Sequence, residues 1–401
     1  MMRAPFQVVL ERRLVRSLPL LLCAFLLLSG RVYAEPFQTS APVAFLIETT
    51  SGTVLLNKNG DQPVEPAAMA KMMTIAVMGE ALRNGETTLD TPYVISEETW
   101  RTGGAPSRSA TMFAALKSRI SVADLLRGAT IQAANDACLA LSEGLTGKTE
   151  GIVPRMNALA ASIGLSHTTF RNVTGFADPE QTTTARDLAT LLAWLIANHP
   201  QLYSMYKETD FTWNKIRQTN RNPLLNLDLG VDGGATGASE TAGFGLIVSA
   251  SRGEQRFILV VHGLKTAAER ADEAKRILRW AETSFQPRLV FARGDIVAHA
   301  SVFGGEISDV ALAADRDVSI LVRTDAEEKL DAKLLYDGPL EAPVMKGRAS
   351  GRLQILRDNQ ISLEVPLYAT ADVPIGSLPQ RAFGAIYELG VGLIQGGRKQ
   401  R

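Results

Sequence analysis

The sequence predicts an α+β fold in which a helix-rich unit framed by strands is followed by a small all-β unit. Three observations predict it. A strand, turn, strand pattern stands at residues 43–56, and a second strand pair follows at 243–250 and 255–262. Between the two pairs, apolar segments of helical length occur at 66–82, 122–128, 133–145, 153–163 and 185–198. After Pro287 the texture changes to short β-patterned runs separated by Asp-Gly, Lys-Gly and Asp-Asn turns. With 401 residues, 46% of them hydrophobic, the chain has material for two domains with real cores.

Taken in order, the first 34 residues read as an address. Arg3, Arg12, Arg13 and Arg16 precede the apolar run 18–28, and Val32-Tyr33-Ala34 ends it before Glu35. A basic start, a run of that length and an A-x-A-like end predict a cleavable secretory signal. The run falls short of the ~20 residues that a bilayer-spanning helix needs. Cutting after Ala34 removes five arginines and one glutamate, leaving 37 basic against 41 acidic residues, and keeps one cysteine, Cys138. One cysteine forms no internal disulfide even in an oxidising compartment. Its apolar setting, Ala137-Cys138-Leu139-Ala140-Leu141, marks it as a small core residue.

Val43–Ile47 and Val54–Leu56 flank the turn Thr50-Ser51-Gly52. Pro66 opens the next segment and Asn84-Gly85 closes it, the usual proline-in, glycine-out signature of a helix. Met69, Met72, Met73, Ile75, Val77 and Met78 leave it apolar nearly all round, so it is predicted to be a buried central helix. A further helix is expected at 268–284 and an all-β domain at 288–375, with strands near 318–322 and 353–356. The main domain is thus bounded at 35–287. From 376 the pattern returns to helix: Phe383, Ile386, Tyr387, Gly390, Leu393 and Ile394 share a face, and Arg398-Lys399-Gln400-Arg401 close the chain. An amphipathic helix with a basic end can lie on a membrane interface; packing on the β domain is the alternative.

Composition excludes several classes. Lys+Arg and Asp+Glu both total 42, so there is no basic excess to suggest a nucleic-acid partner. His167, His199, His262 and His299 are scattered, and no metal or cofactor is expected.

The chemistry-bearing residues fall in three segments. These are Pro66-Ala67-Ala68-Met69-Ala70-Lys71, Gln132-Ala133-Ala134-Asn135-Asp136 and Gly233-Gly234-Ala235-Thr236-Gly237. Together they resemble the D-alanyl-D-alanine carboxypeptidases, the low-molecular-mass penicillin-binding proteins of peptidase family S11. The motifs of that family are Ser-x-x-Lys, Ser-x-Asn and Lys-Thr-Gly, in this order and at about this spacing. Gly103-Gly104-Ala105-Pro106-Ser107, Thr111-Met112-Phe113, Leu125-Leu126-Arg127-Gly128 and Thr184-Ala185-Arg186-Asp187 resemble it too, as does the layout of signal, main domain, β domain and tail. The resemblance implies a penicillin-binding, serine β-lactamase-like transpeptidase fold. It also implies a serine hydrolase that removes the terminal D-alanine from peptidoglycan stem peptides through an acyl-enzyme, at the periplasmic face of the inner membrane.

Carried over by position, residue 68 is the nucleophile site, Lys71 its base, 133 and 135 the relay, and 235–237 the substrate seat. A lysine three residues after a nucleophile shares its face, and burial keeps it neutral enough to take a proton. Yet the nucleophile position holds Ala68, the first relay position Ala133, and the lysine position Ala235. Lys71, Asn135, Thr236 and Gly237 remain. Ala110 and Ala238 also stand where the family often has polar residues. Ser107 and Ser109 lie nearby in sequence without a lysine at i+3.

A methyl group cannot attack a carbonyl or carry an acyl group, so the chain is expected not to turn over substrate. The competing expectation is a non-catalytic binder of peptidoglycan peptides or of a partner protein. The alanines fit either deliberate replacement or natural loss, and the signal sequence and their number favour natural divergence. A class A β-lactamase is disfavoured, because no Glu-x-x-x-Asn segment follows Asn135.

Overall fold

A computed structural model describes residues 37–325 and 328–381. The segments expected to form the signal and most of the amphipathic tail lie outside the described residues. The fold is α+β, as predicted. Its centre is a five-stranded antiparallel sheet in the order Thr53–Lys58, Val43–Glu48, Gln255–Leu264, Gly243–Arg252, Val231–Ser239. N-terminal strands therefore pair with strands two hundred residues away, and Phe45 stands opposite Val260.

Both faces of this sheet are buried, and strict alternation sorts the residues. Val43, Phe45, Ile247, Ile258 and Val260 join the large helical core, while Ala44, Leu46, Leu246, Val248, Leu259 and Val261 face the other way. The second face is covered by the helix Ala267–Ser284 through Ala274, Ile277, Leu278 and Ala281. Burial on two faces explains why these strands read as near-continuous apolar runs.

The segment expected at 66–82 is a one-turn 3₁₀ helix, Ala67–Ala70, followed by the α-helix Lys71–Arg83. Met69, Met72, Met73, Ile75 and Met78 are fully buried, so it is the central helix that its sequence predicts. Around it stand Val122–Ile131, Asn135–Thr146, Val153–Ser162 and Ala185–Asn198. Ser121 and Thr184 cap two of these, accepting from Asp124 N and Asp187 N. The short helix Glu97–Gly103 and the hairpin Asp210–Trp213/Ile216–Thr219 were not foreseen. Both are too brief to leave a periodic pattern.

The strand Phe285–Phe291, which contains Pro287, continues directly from the helix Ala267–Ser284 and pairs with Val318–Arg323. A six-stranded sheet completes the β domain around Ala300, Leu312, Ile320, Leu367 and Val373. Two side chains of the β domain reach across to the first domain. The Arg357 guanidinium pairs with Glu328 and donates to Leu321 O, and it reaches across to Val54 O at 2.9 Å; Ser362 Oγ donates to the same carbonyl at 2.8 Å.

Candidate active site

The turn Ala67–Ala70 sets the geometry. In a 3₁₀ helix positions i and i+3 eclipse, so Lys71 stands over Ala68 on one face. Ala67 is forced to φ +45°, a left-handed conformation that costs a residue with a Cβ about 1 kcal/mol. Two glycines make room for this turn. A Cβ on Gly237 would lie 3.1 Å from Pro66 O and 3.2 Å from Ala67 Cβ, and one on Gly175 would lie 1.9 Å from Ala67 O. The strand Val231–Ser239 and the loop around Gly175 thus press on the turn from two sides.

Ala68, Lys71, Ala133, Ala235 and Thr236 line one narrow cleft. Ala129, Thr130, Tyr206, Asn220, Arg221, Asn222 and Gly234 complete its wall. Five of the seven expected site positions therefore meet in one cavity. Gly237 serves as the contact with the turn, and Asn135 lies just behind, 4% exposed, as the first residue of its helix.

Lys71 is 4% exposed. Its ammonium donates to the carbonyl of Thr174, and one turn on Thr74 Oγ1 donates to Val173 O at 2.8 Å. Burial pulls the Lys71 pKa down to about 8. With Ala at 235, burial does this without the second cation that a Lys-Thr-Gly motif would add. Cys138 faces Lys71 from the helix Asn135–Thr146, fully buried, its thiol pushed up to about 12 by desolvation. It is the core residue that the sequence predicted.

Asn135 Nδ2 donates to Ser109 Oγ at 2.8 Å, and its Oδ1 is buried without a partner. Ser109 sits there because Asp136, fully buried, gathers its loop. It accepts from Thr111 Oγ1 at 2.5 Å, Met112 N at 3.0 Å and Ala114 N at 3.1 Å. Desolvation raises the Asp136 carboxyl above the usual range. Ala133, preceding this helix, adopts φ +54° and lines the same cleft as Ala68.

Sequence reasoning missed the far wall. Asn220 Nδ2 donates to Tyr206 O at 3.1 Å and Glu208 O at 2.9 Å, and Arg221 Nε donates to Gln132 Oε1 at 3.2 Å. The polar run Asn220-Arg221-Asn222 was the available signal. The Thr174 carbonyl left none, because a main-chain acceptor has no residue signature.

Comparison with known proteins agrees with this geometry over both domains. The family model for D-alanyl-D-alanine carboxypeptidases of peptidase S11 matches residues 31–266. The model for the C-terminal domain of penicillin-binding protein 5 matches residues 285–374. The D-alanyl-D-alanine carboxypeptidase DacC of Escherichia coli K12 is 35% identical over 357 residues, 88% of this chain and 88% of that protein. The D-alanyl-D-alanine carboxypeptidase DacF of Bacillus subtilis is 31% identical over 83% of this chain and 86% of its own. Among solved structures, penicillin binding protein 5 from Haemophilus influenzae superposes with a TM-score of 0.71 at 34% identity, covering 85% of this chain and 99% of that one. Penicillin binding protein 6B from Escherichia coli gives 0.64 at 30% identity, covering 84% and 98%. Matched over most of its length in sequence and in fold, the chain belongs to the D-alanyl-D-alanine carboxypeptidase family, peptidase S11.

Proposed function

We propose that this chain is a catalytically silent member of its family, which keeps the cleft for peptidoglycan stem peptides but forms no acyl-enzyme. The observation that carries the reading is Ala68. Its methyl lines the cleft one 3₁₀ turn before a buried lysine of lowered pKa, where the reaction needs a hydroxyl. In the family reaction Lys71 would take the proton of a nucleophile at 68, positions 133 and 135 would relay it, and 235–237 would hold the peptide beside the edge strand. Loss of a serine nucleophile alone costs about 10⁶ in turnover. Loss of the cation at 235 also weakens the seat for the terminal carboxylate.

Binding without turnover has its own support. Thr236 stays on the cleft wall, and Arg221 supplies a cation there. The location that goes with this reading is the periplasm, reached through the signal at 1–34, with the basic amphipathic tail at 376–401 resting on the inner-membrane surface. Among the described residues no helix is long and apolar enough to cross a membrane.

The test is intact-protein mass after incubation with excess penicillin, beside the triple variant Ala68→Ser, Ala133→Ser, Ala235→Lys. Mass gain in the variant alone supports the reading. Mass gain in the unaltered chain overturns it, because another residue then does the chemistry.

A further inference from the structure

The partner of Lys71 is a main-chain carbonyl 103 residues away, on a loop held by two amide side chains and, at the neighbouring Val173, by Thr74 Oγ1 and the Glu150 carboxylate. Gln181 is 3% exposed. Its Oε1 accepts from Arg171 N at 3.1 Å and Asn172 N at 3.3 Å, and its Nε2 donates to Phe176 O at 3.1 Å. One buried amide therefore bridges both ends of the 171–176 loop. Inside the loop, Asn172 Oδ1 accepts from Gly175 N at 2.7 Å, Phe176 N at 3.0 Å and Thr174 Oγ1 at 3.2 Å. Its Nδ2 donates to Phe176 O at 2.9 Å. Such an Asx-type turn leaves the loop little freedom. The loop then meets the site at three points: Val173 O accepts from Thr74 Oγ1, the Thr174 carbonyl accepts from the Lys71 ammonium, and Gly175 packs on Ala67 O.

We infer that Gln181 and Asn172 are positioning residues for the site lysine: by holding the Thr174 carbonyl against the Lys71 ammonium they set the protonation of that lysine. The physical reason is the balance of two opposed effects. Desolvation drives Lys71 toward its neutral form, and the carbonyl stabilises the charged one. The other titratable or charged residues around Lys71 are Cys138 from the helix Asn135–Thr146, Glu150, whose carboxylate accepts from Val173 N at 2.8 Å, and Tyr206 and Arg221 on the cleft wall. Burial holds both Cys138 and Tyr206 neutral, so neither supplies a countercharge. The carbonyl is the partner that the ammonium reaches directly. This inference rests on the reading of Lys71 as the site lysine, and it adds the element that determines its charge.

The experiment is an NMR titration of the Lys71 Nζ in the ¹⁵N-lysine-labelled full chain, assigned by Lys71→Met. Gln181→Leu keeps the buried site dry while releasing the loop, and is expected to lower the Lys71 pKa by about one pH unit. Asn172→Ala, at a half-buried turn, is the second variant should Gln181→Leu not fold. Asn157→Ala is the control. Asn157 grips Phe170 at the stem of the same loop, at 2.9 Å through both Oδ1 and Nδ2, so its loss destabilises without moving the Thr174 carbonyl, and the pKa stays put. An unchanged pKa in the clamp variants, or a rise toward the ordinary lysine range, overturns the inference, since the loop then only packs or only excludes water. In the triple serine/lysine variant, Gln181→Leu should move the acidic limb of penicillin acylation to lower pH by the same amount. Failure of that variant to acylate at all would count against the proposed function, while the titration in the unaltered chain still decides the clamp.

Discussion

Asn135 Nδ2 donates to Ser109 Oγ at 2.8 Å, while the other end of the same amide, Oδ1, is sealed from solvent without a partner. The two halves of one side chain thus have opposite energetic sign. Ser109 in turn lies 2.7 Å from Ser107 Oγ, so a short polar chain runs from the cleft wall into the 104–111 loop. Replacing Asn135 by alanine removes one satisfied donor and one unsatisfied acceptor together. These offset, and Asn135→Ala should change stability by less than about 1 kcal/mol in urea unfolding. A loss of about 3 kcal/mol would mean that Oδ1 has a partner after all.

Lys71 makes stability depend on alkaline pH. Its folded pKa is near 8, below its ordinary value of 10.5, so between those two values the unfolded chain holds more protons. Stability from this group therefore rises with pH across that window, by about 3 kcal/mol, and is flat below it. The difference between the unaltered chain and Lys71→Met, measured by urea unfolding at pH 7.5 and pH 10.5, should shift by that amount in favour of the lysine chain.

Glycines of similar conformation should differ sharply in cost. Gly175 has φ +78° and no room, with Ala67 O 1.9 Å from a would-be Cβ; Gly147 has φ +79° and open space. Gly147→Ala should cost about 1 kcal/mol, the conformational penalty alone. Gly175→Ala adds overpacking against the site turn and should cost about 3 kcal/mol or more. Paired urea midpoints decide it.

The two domains should melt as one while Arg357 is present. It forms a nearly buried pair with Glu328 and donates to a carbonyl on each side of the junction, Val54 O and Leu321 O. Arg357→Ala strips the nearly buried Glu328 of its guanidinium partner, leaving it Arg323 N, and should cost about 3 kcal/mol. Calorimetry should then show the single endotherm splitting into two. A single transition at unchanged temperature would place the coupling elsewhere, for instance in the Leu321 N to Thr53 Oγ1 bond.

Much of this fold is written in the sequence because its strands and helices carry unmixed patterns. Val43–Glu48 and Gln255–Leu264 are apolar on both faces, and Lys71–Arg83 is buried all round. The site is legible only in part. The spacing of 68 and 71 predicts one face, but that 133 and 235 join them follows from family resemblance, not from any local pattern. The Thr174 carbonyl and the seat of Ser109 depend on loops pinned by Gln181 and Asp136, and tertiary hydrogen bonds of that kind have no periodicity to read. The left-handed φ of Ala67 and Ala133 is likewise silent, because alanine gives no hint of it.

The strand Val231–Ser239 ends its sheet, and Gly233, Gly234, Ala235, Gly237 and Ala238 make up most of it. An open edge of this kind is where sheets of neighbouring molecules fuse into aggregates. Here the edge is nearly bare of side chains to zip together, and the 66–68 turn lies within 3.3 Å of where a Gly237 side chain would begin. A lone extended peptide can lie along it, whereas a second sheet meets the turn first. Whether or not the cleft turns over substrate, these small residues guard the edge against self-association at high concentration.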